Sequence, residues 1–313
     1  MQQLEFHAMG SRMLAVLDAP SDQATARLAQ VPAWFEEWEQ HLSRFRGDSE
    51  LSRLNSHGSS PMAVSDVLWA VLDAAWQGAQ ESGGLVVPTV LDAVVAAGYD
   101  RPFDAVLAAE PAWAATLTDS AAVIGMAAPA WDAIQRDLSS HTVSLPYGVH
   151  LDFGGIAKGW AADQAARRLA EYGPALVDAG GDIAVTGPMA DGSRWPIGVD
   201  DPLAPGQQLL LLGLAGSCVA TSGRDYRRWR RAGVWQHHIV DPRTGLPAET
   251  NVLSATVIAP STCQAEVAAK TVLILGETDG LEWLEARPAL AGLVVLDDGQ
   301  VVTSRRLPTH VWS

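Results

Sequence analysis

Apolar residues near the start of the chain recur with the period of an α-helix. Over residues 21–43 they fall at steps of three and four, at Leu28, Val31, Phe35, Trp38 and Leu42. That spacing puts them on one helix face, so we expect a helix there. A similar pattern begins after Ser65 and predicts a second helix that reaches Gln80. Before both, residues 6–18 predict a strand that is interrupted at Met9-Gly10-Ser11.

After His141 the pattern changes to short apolar runs separated by glycine and proline turns. Residues 141–153 predict a hairpin that turns at Pro146-Tyr147-Gly148. Further strands are expected at 175–177, 183–186, 195–199, 217–220, 236–240, 253–259 and 293–302, and helices at 156–172, 224–231, 263–275 and 278–286. Hairpin turns favour antiparallel pairing, so we predict an α+β fold with mainly antiparallel sheets flanked by helices. Residues 100–141 give only weak signals.

The balance of charge limits the possible partners. Lys and Arg number 21 while Asp and Glu number 36, which gives a formal net charge of −15. Nucleic acids and anionic membranes select basic surfaces, so we expect neither as a partner. Among the basic residues only Lys158 and Lys270 are lysines.

Cysteine usage and the first residues point to a soluble cytoplasmic protein. Cys218 and Cys263 are too few for a disulfide framework or a cysteine-based zinc site. The start of the chain lacks the basic and apolar regions of a secretion signal. Since no run of 18 apolar residues occurs, no membrane-spanning helix is expected.

The segment Asp152-Phe-Gly-Gly155-Ile-Ala-Lys158-Gly159 combines a carboxylate, a glycine turn, a cation and a predicted helix start. Free N–H groups at a helix N-terminus, with a cation beside them, favour a phosphate. The alternative is a structural junction whose lysine faces solvent.

Two other segments end predicted strands with glycine. Gly180-Gly181 precedes Asp182 and either lets a flat ligand approach the backbone or makes a plain hairpin turn. Thr221-Ser222-Gly223 precedes four arginines spaced as one face of the predicted helix 224–231: Arg224, Arg227, Arg228 and Arg231. That face is either an anion site or a solvated surface.

Titratable residues stand out in two later segments. His238 and Asp241 flank two apolar residues before a Pro/Gly turn. A histidine in this place either transfers protons or is hydrogen-bonded within the turn. Strand alternation would put His238 on the face opposite Asp241. Glu266 and Lys270 are four apart in a predicted helix, which indicates either a surface ion pair worth about 0.3–0.5 kcal/mol or a carboxylate ligand for Mg²⁺.

The order of these segments resembles that of the ApbE-like flavin transferases, the FAD:protein FMN transferases. The resemblance runs from Met9 to Gly276, without residues 100–140, and rests on these segments: Met9-Gly-Ser11, Ser43 to Asn55, Asp152 to Gly159, Gly180 to Asp182, Thr221 to Gly223 and His238 to Gly245.

The resemblance implies one T-fold-type α+β domain, residues 1–313, with two lobes and FAD between them. Mg²⁺-assisted phosphoryl transfer would pass FMN from FAD to a Thr or Ser hydroxyl of a target flavoprotein and release AMP. His238 and Asp241 would be catalytic, and the Gly155 carbonyl and Glu266 would bind the metal. The residues implied for FAD binding are Met9, Phe45, Val86, Asp152, Lys158, Gly181, Asp182, Thr221, Ser222 and Ile239.

The sequence departs from the family pattern where the metal is expected. Glu266 and Lys270 stand where the family has Asp and Thr as metal ligands. An ammonium group cannot bind Mg²⁺, so Lys270 would instead neutralise the pyrophosphate as a point charge. Two alternatives to transfer therefore stay open: an FAD-binding protein without transferase activity, and an FAD pyrophosphatase.

Overall fold

The computed structural model describes residues 1–108, 125–231 and 233–312, and the chain divides into two compact units. The first unit comprises Met1–Glu39, Ile156–Gly223 and Thr250–Ser313, and the second comprises Gln40–Gly155 and Arg224–Glu249. Each is described separately below. Within the described part of the chain, no helix is long and apolar enough to cross a membrane.

An eight-stranded antiparallel sheet forms the first unit, with the strand order β1-β2-β6-β7-β10-β15-β16-β17. These strands are β1 Gln2–Ala8, β2 Ser11–Leu17, β6 Ala175–Ala179, β7 Asp182–Val185, β10 Cys218–Gly223, β15 Val252–Ala259, β16 Ala291–Leu296 and β17 Val301–Thr303. A separate hairpin consists of β8 Trp195–Asp200 and β9 Gln208–Leu214. Apolar residues of this hairpin join Val16, Leu176 and Leu293 of the sheet in one buried cluster.

Helices pack against the same sheet. They are α1 Asp22–Leu28, α2 Val31–Leu42 (of which residues 31–39 belong to this unit), α6 Ala157–Ala170, α7 Thr262–Leu275 and α8 Glu277–Glu285. Helix α6 contacts β6 and β7, α7 contacts β10 and β15, and the two helices contact each other. Ser261 caps α7 by accepting the Gln264 N–H, while Asp163 of α6 accepts the N–H groups of Thr262 and Cys263. These bonds fix the start of α7 relative to α6.

The second unit is built from short elements. They are α3 Glu50–Ser56, β3 Met62–Ala63, α4 Asp66–Glu81, α5 Leu91–Ala96, β4 Gln135–Asp137, β5 Thr142–Ser144, β11 Arg228–Arg231, β12 Val234–His237, β13 Val240–Asp241 and β14 Leu246–Pro247. Three single 3₁₀ turns are also present among the described residues, at Pro88–Val90, Trp131–Ala133 and, in the first unit, Leu307–His310. A buried cluster that includes Val94, Tyr99 and Trp229 joins α5 to the β11–β12 hairpin.

The predicted α+β class is confirmed, since both helices and antiparallel sheets are present. The predicted helix starting after Ser65 is α4, which Ser65 caps by accepting the Leu68 N–H. The predicted helix 21–43 is two helices, because the chain breaks at Ala29 and Gln30. The Met9-Gly10 interruption is the turn of the β1–β2 hairpin, and strand β9 was not predicted.

The prediction of a helix at 224–231 is wrong. Residues Arg228–Arg231 are strand β11, paired with β12 in an antiparallel hairpin. The hairpin buries Trp229 completely and leaves Arg228 and Arg230 exposed, with their guanidinium carbons 4.9 and 4.8 Å from the Trp235 ring centroid. A strand alternates buried and exposed residues in this way, whereas a helix would have placed the arginines on one stripe.

The prediction of a hairpin over residues 141–153 is also wrong. Strand β5 is already paired on both sides, with β3 and with β4. The backbone beyond Gly148 finds other partners: Asn55 exchanges two hydrogen bonds with Leu151, and the Asp152 N–H donates to the Pro88 carbonyl. With both edges of β5 occupied, these residues had no strand to pair with.

Candidate functional site

Four charged side chains, two of them fully buried carboxylates, meet in the first unit. Lys158 lies in the first turn of α6 and forms an ion pair with Asp182, the first residue of β7. Lys270 of α7 donates to Oε1 of Glu266 at 3.0 Å, and the Lys158 Nζ lies 3.7 Å from the same oxygen. The two carboxylate side chains are 2% and 0% exposed, and the two lysine side chains are 16% and 14% exposed. We call Lys158, Asp182, Glu266 and Lys270 the charge cluster.

The backbone is shaped to bring these groups together. Gly159 donates its N–H to Oε2 of Glu266 at 3.0 Å, and a Cβ at this position would lie 2.8 Å from that oxygen. Gly180, in the turn before Asp182, has a φ of +68°, and a Cβ there would lie 2.7 Å from the Cβ of Ser11. Both glycines therefore allow approaches that a side chain would block. The plain hairpin turn considered for Gly180-Gly181 is present between β6 and β7.

Burial and neighbouring charge act differently on the acids. Burial raises the pKa of Asp182 to about 6, and the Glu266 charge acts in the same direction. Burial alone would also raise the pKa of Glu266, but the charges of Lys270 and Lys158 and the Gly159 N–H lower it below its usual value. Burial raises the pKa of Asp178, whose carboxylate accepts the Gly181 N–H at 2.7 Å. Glu266 is therefore the acid most firmly held in its ionised form.

Three more residues implied for FAD binding lie in the first unit. Met9 occupies the β1–β2 turn with a φ of +48°, a left-handed conformation that is uncommon for a residue other than glycine. Thr221 of β10 donates its N–H to the Gly181 carbonyl, and its hydroxyl lies 2.9 Å from that of Thr256. Ser222 is buried. The structure therefore joins Thr221 to the turn that precedes Asp182.

In the second unit, Asp152 is held by an arginine. The Arg44 Nε lies 3.1 Å from Asp152 Oδ2, and the Arg44 side chain is 7% exposed. The Arg44 guanidinium carbon lies 4.1 Å from the Phe45 ring centroid and 4.7 Å from that of Tyr99. Phe45 itself is 39% exposed. This places a cation beside an exposed aromatic ring, which is a surface on which a flat ligand can stack.

Val86 and Gly155, which the resemblance implies for FAD and metal binding, are half-buried. Val86 donates its N–H to the Ser82 hydroxyl at 3.0 Å. Gly155 follows Gly154, whose N–H donates to Asp152 Oδ1 at 2.7 Å. The Asp152 carboxylate thus binds both Arg44 and the glycine turn.

The histidine segment does not continue as a strand. Strand β12 ends at His237 and β13 begins at Val240, so the alternation expected across His238 and Ile239 is wrong. Ile239 is buried and Asp241 is 8% exposed. Asp241 accepts from Arg243 Nε and Nη2 at 2.9 and 2.7 Å and from the Arg243 N–H, which closes the turn that follows. His237 donates from Nε2 to the Ala248 carbonyl at 3.2 Å, and burial lowers the pKa of His237 to about 4.

Similarity to known proteins decides the family. A sequence profile of the ApbE family matches residues 9–294. The chain belongs to the ApbE family. The FAD:protein FMN transferase of Treponema pallidum is 33% identical over 312 residues, which are 93% of this chain and 83% of the relative. The one from Vibrio cholerae is 33% identical over 281 residues, 86% and 80% of the two chains.

Comparison with solved structures shows the same fold. The ApbE protein of Thermotoga maritima matches with a TM-score of 0.84 at 24% sequence identity, over 100% of this chain and 99% of its own. Membership of the ApbE family confirms the resemblance that the sequence segments indicated. The residue roles implied by that resemblance stay predictions.

The ApbE resemblance implies Mg²⁺, and the described residues do not fit it. Both oxygens of Glu266 are engaged, one by Lys270 and Lys158 and the other by Gly159. No group of three or more His, Cys, Asp or Glu residues suited to a metal occurs in the part of the chain that the structure describes. A metal ion beside Glu266 would be repelled by the two ammonium groups already there. We therefore assign no step to the metal.

The contacts in the charge cluster decide between two pairs of alternatives that the sequence left open. The reading of Lys158 as a solvent-facing lysine is wrong, because its ammonium group contacts Asp182. The ion pair expected between Glu266 and Lys270 is present, but it is buried rather than on the surface. Its energy therefore does not follow the estimate for exposed pairs.

Sequence reasoning missed four residues that hold the predicted ones. Arg44 lies inside a segment that carried the resemblance, Asp178 lies two residues before another, and each acts through the residue it contacts. Arg243 follows Asp241 by two positions, so an opposite charge nearby was the available signal. Tyr99 packs on Phe45 with ring centroids 5.7 Å apart, and nothing in the sequence indicated that contact.

Proposed function

We propose that this ApbE family protein transfers FMN from FAD to a Thr or Ser hydroxyl of a target protein and releases AMP. The observation that carries the proposal is the charge cluster, which brings the ammonium groups of Lys158, from the start of α6, and Lys270, from α7, to the same oxygen of Glu266. The relatives in the family named FAD:protein FMN transferase support the same reaction. A pyrophosphate carries the negative charge that such a pair of cations attracts.

The reaction breaks a phosphoanhydride bond of FAD and forms a phosphate ester with the acceptor. The acceptor hydroxyl oxygen bonds to the phosphorus of the FMN half, and the bond from that phosphorus to the bridging oxygen breaks. AMP leaves with the bridging oxygen, and the hydroxyl proton passes to a base, for which we propose His238. Lys158 and Lys270 neutralise charge on the phosphoryl oxygens, which is where phosphoryl transfer gains most of its catalysis.

The other implied residues are proposed to hold FAD or to position the base. Asp241 is proposed as a positioning residue, because its carboxylate is bound by Arg243 and fixes the turn after His238. Lys158 and Asp182 are proposed at the pyrophosphate. The residues proposed to contact the rest of FAD are Met9, Phe45, Val86, Asp152, Gly181, Thr221, Ser222 and Ile239.

The test incubates the purified protein with FAD and a cell extract. The extract comes from the source organism after the gene that encodes this protein has been deleted. Transfer predicts a protein band with covalent flavin fluorescence, an FMN-sized mass increase on a Thr or Ser peptide, and AMP. AMP with free FMN and no labelled band would instead establish a pyrophosphatase. FAD binding with neither product would establish a binding protein.

Replacement of His238 tests whether this residue is the general base. We expect His238→Asn to lower the rate of transfer by at least roughly 100-fold, because a general base contributes about that much. FAD binding by the variant should stay near that of the wild type. The acceptor that becomes labelled in the wild-type reaction names the target, and fractionation of the cells tests the expected cytoplasmic location.

A further inference from the structure

The charge cluster is complete without any bound ion. Two ammonium groups face two carboxylates, so the formal charges of Lys158, Lys270, Asp182 and Glu266 sum to zero. Buried carboxylates need such partners, since an isolated buried charge is costly. In this chain the partners are supplied by the protein itself.

Lys270 occupies the position beside Glu266 that a cation would need. Its Nζ lies 3.0 Å from Glu266 Oε1, a hydrogen-bond distance, and its side chain is 14% exposed. An ion bound to the same oxygen would lie within a few ångströms of this ammonium group, where like charges repel strongly in a buried site. The lysine also has no lone pair to offer a metal while it is protonated.

The ammonium group of Lys270 keeps donors for a ligand. An ammonium group has three N–H donors, and the bond to Glu266 uses one of those of Lys270. Lys158 reaches the same Glu266 oxygen from α6, so both cations converge on one point. The two lysine side chains are themselves partly exposed, at 16% and 14%.

We propose that the ammonium group of Lys270 takes the place of a divalent cation in this protein, so that the site holds no metal and a bound pyrophosphate is neutralised by Lys158 and Lys270. The statement about pyrophosphate rests on the proposed function. The statement about the metal does not, because it concerns only the free protein.

The first experiment measures metal binding directly. Mn²⁺, used as a probe for Mg²⁺, is titrated into the purified wild-type protein without FAD and followed by electron paramagnetic resonance. We expect no bound ion at micromolar or at low millimolar Mn²⁺. One tightly bound Mn²⁺ per chain that Glu266→Gln removes would overturn the proposal. This result does not depend on whether the protein transfers FMN.

The second experiment measures FAD affinity by fluorescence with EDTA and with Mg²⁺. For the wild type we expect the two dissociation constants to agree within about twofold. Lys270→Met and Lys270→Thr both remove the cation, and both should weaken binding in EDTA by roughly 10- to 100-fold, as expected for a lost charge-assisted hydrogen bond. Mg²⁺ should restore binding only in Lys270→Thr, which supplies an oxygen. Undiminished binding of Lys270→Met in EDTA would contradict the proposal.

Loss of the lysine also leaves Glu266 buried without its closest partner, so folding needs its own control. The double variant Lys270→Met with Glu266→Gln removes both charges at little change in volume. Circular dichroism should show it folded, and its FAD affinity should be weak with EDTA and with Mg²⁺ alike. A folded double variant that binds FAD as tightly as the wild type would overturn the role of Lys270. If the proposed function itself is wrong, the wild type and all variants will lack FAD binding or FMN transfer. The Mn²⁺ titration of the wild type still decides whether the site holds a metal.

Discussion

Asp182 is a buried acid whose nearest counter-charge is a single lysine. Its side chain is 2% exposed, and Lys158 reaches it from the first turn of α6. Burial raises the pKa of Asp182 to about 6, which shows that the lysine does not fully offset the loss of water around the carboxylate. The pair therefore matters to folding as well as to a ligand, because either charge left alone in this place is costly.

We expect Lys158→Met to lower the free energy of unfolding by about 3 kcal/mol at pH 8, since removal of one partner leaves the other charge buried. The loss should be smaller below pH 6, where Asp182 takes up a proton. Urea unfolding at the two pH values measures both. The double variant with Asp182→Asn should regain most of the stability, whereas a single variant as stable as the wild type would show that the pair contributes nothing.

His237 gives the fold a dependence on acid pH. Burial lowers its pKa to about 4, from an ordinary value of 6.5, so the folded protein holds the ring neutral. The unfolded chain takes up a proton near pH 6.5, and protonation therefore favours unfolding between pH 6.5 and 4. The contribution of this group to stability is present above pH 6.5 and is lost as the pH falls toward 4. At about 1.4 kcal/mol per pH unit, the fall of the pKa from 6.5 to about 4 corresponds to about 3 kcal/mol.

The measurement is urea unfolding of the wild type and of His237→Gln from pH 4 to pH 7.5. Gln keeps a donor for the Ala248 carbonyl but does not titrate. We expect the variant to have a flatter profile than the wild type across that range. Equal slopes in the two proteins would show that another group causes the dependence.

At the scale of elements, the sequence predicts those whose signals are local. The α4 helix begins where Ser65 can cap it, and α7 begins after Ser261 for the same reason. The β11–β12 hairpin could not be predicted, because its decisive contact is distant: Trp229 Nε1 donates to the carbonyl of Ala97, 132 positions away. Arginines at 228 and 231 fit a helix face as well as a strand, and only the burial of Trp229 distinguishes the two.

The alternation of buried and exposed residues in the β11–β12 hairpin predicts different stability losses for its two tryptophans. Trp229 is fully buried with its indole N–H bonded, so Trp229→Ala should cost about 3–5 kcal/mol of unfolding free energy. Trp235, on the next strand, is 51% exposed beneath Arg228 and Arg230, and Trp235→Ala should cost at most about 1 kcal/mol. Thermal or urea unfolding compares the matched variants. Equal losses would contradict the alternation of β11.

At the scale of the whole molecule, the site joins segments that are remote in sequence. Gly159 and Glu266 are 107 positions apart, yet the N–H of one binds the carboxylate of the other. The sequence marked both segments, through their glycines and charges, but not the contact between them. Knowing that Lys270 and Lys158 share Glu266 required the packing of α6 against α7, which no local pattern encodes.

The same packing explains how so acidic a chain can bind an anion. The net charge of −15 opposes a pyrophosphate at long range, but salt screens distant charges and screens buried ones much less. FAD at about 100 times its dissociation constant should therefore stabilise the protein by about 2.7 kcal/mol, which raises the unfolding midpoint by several degrees. We expect the same rise in EDTA and no rise from riboflavin, which lacks the phosphates. The double variant Lys158→Met with Asp182→Asn, which should fold without the cation, should show little rise. A rise from riboflavin equal to that from FAD would show that the charge cluster does not contact the pyrophosphate.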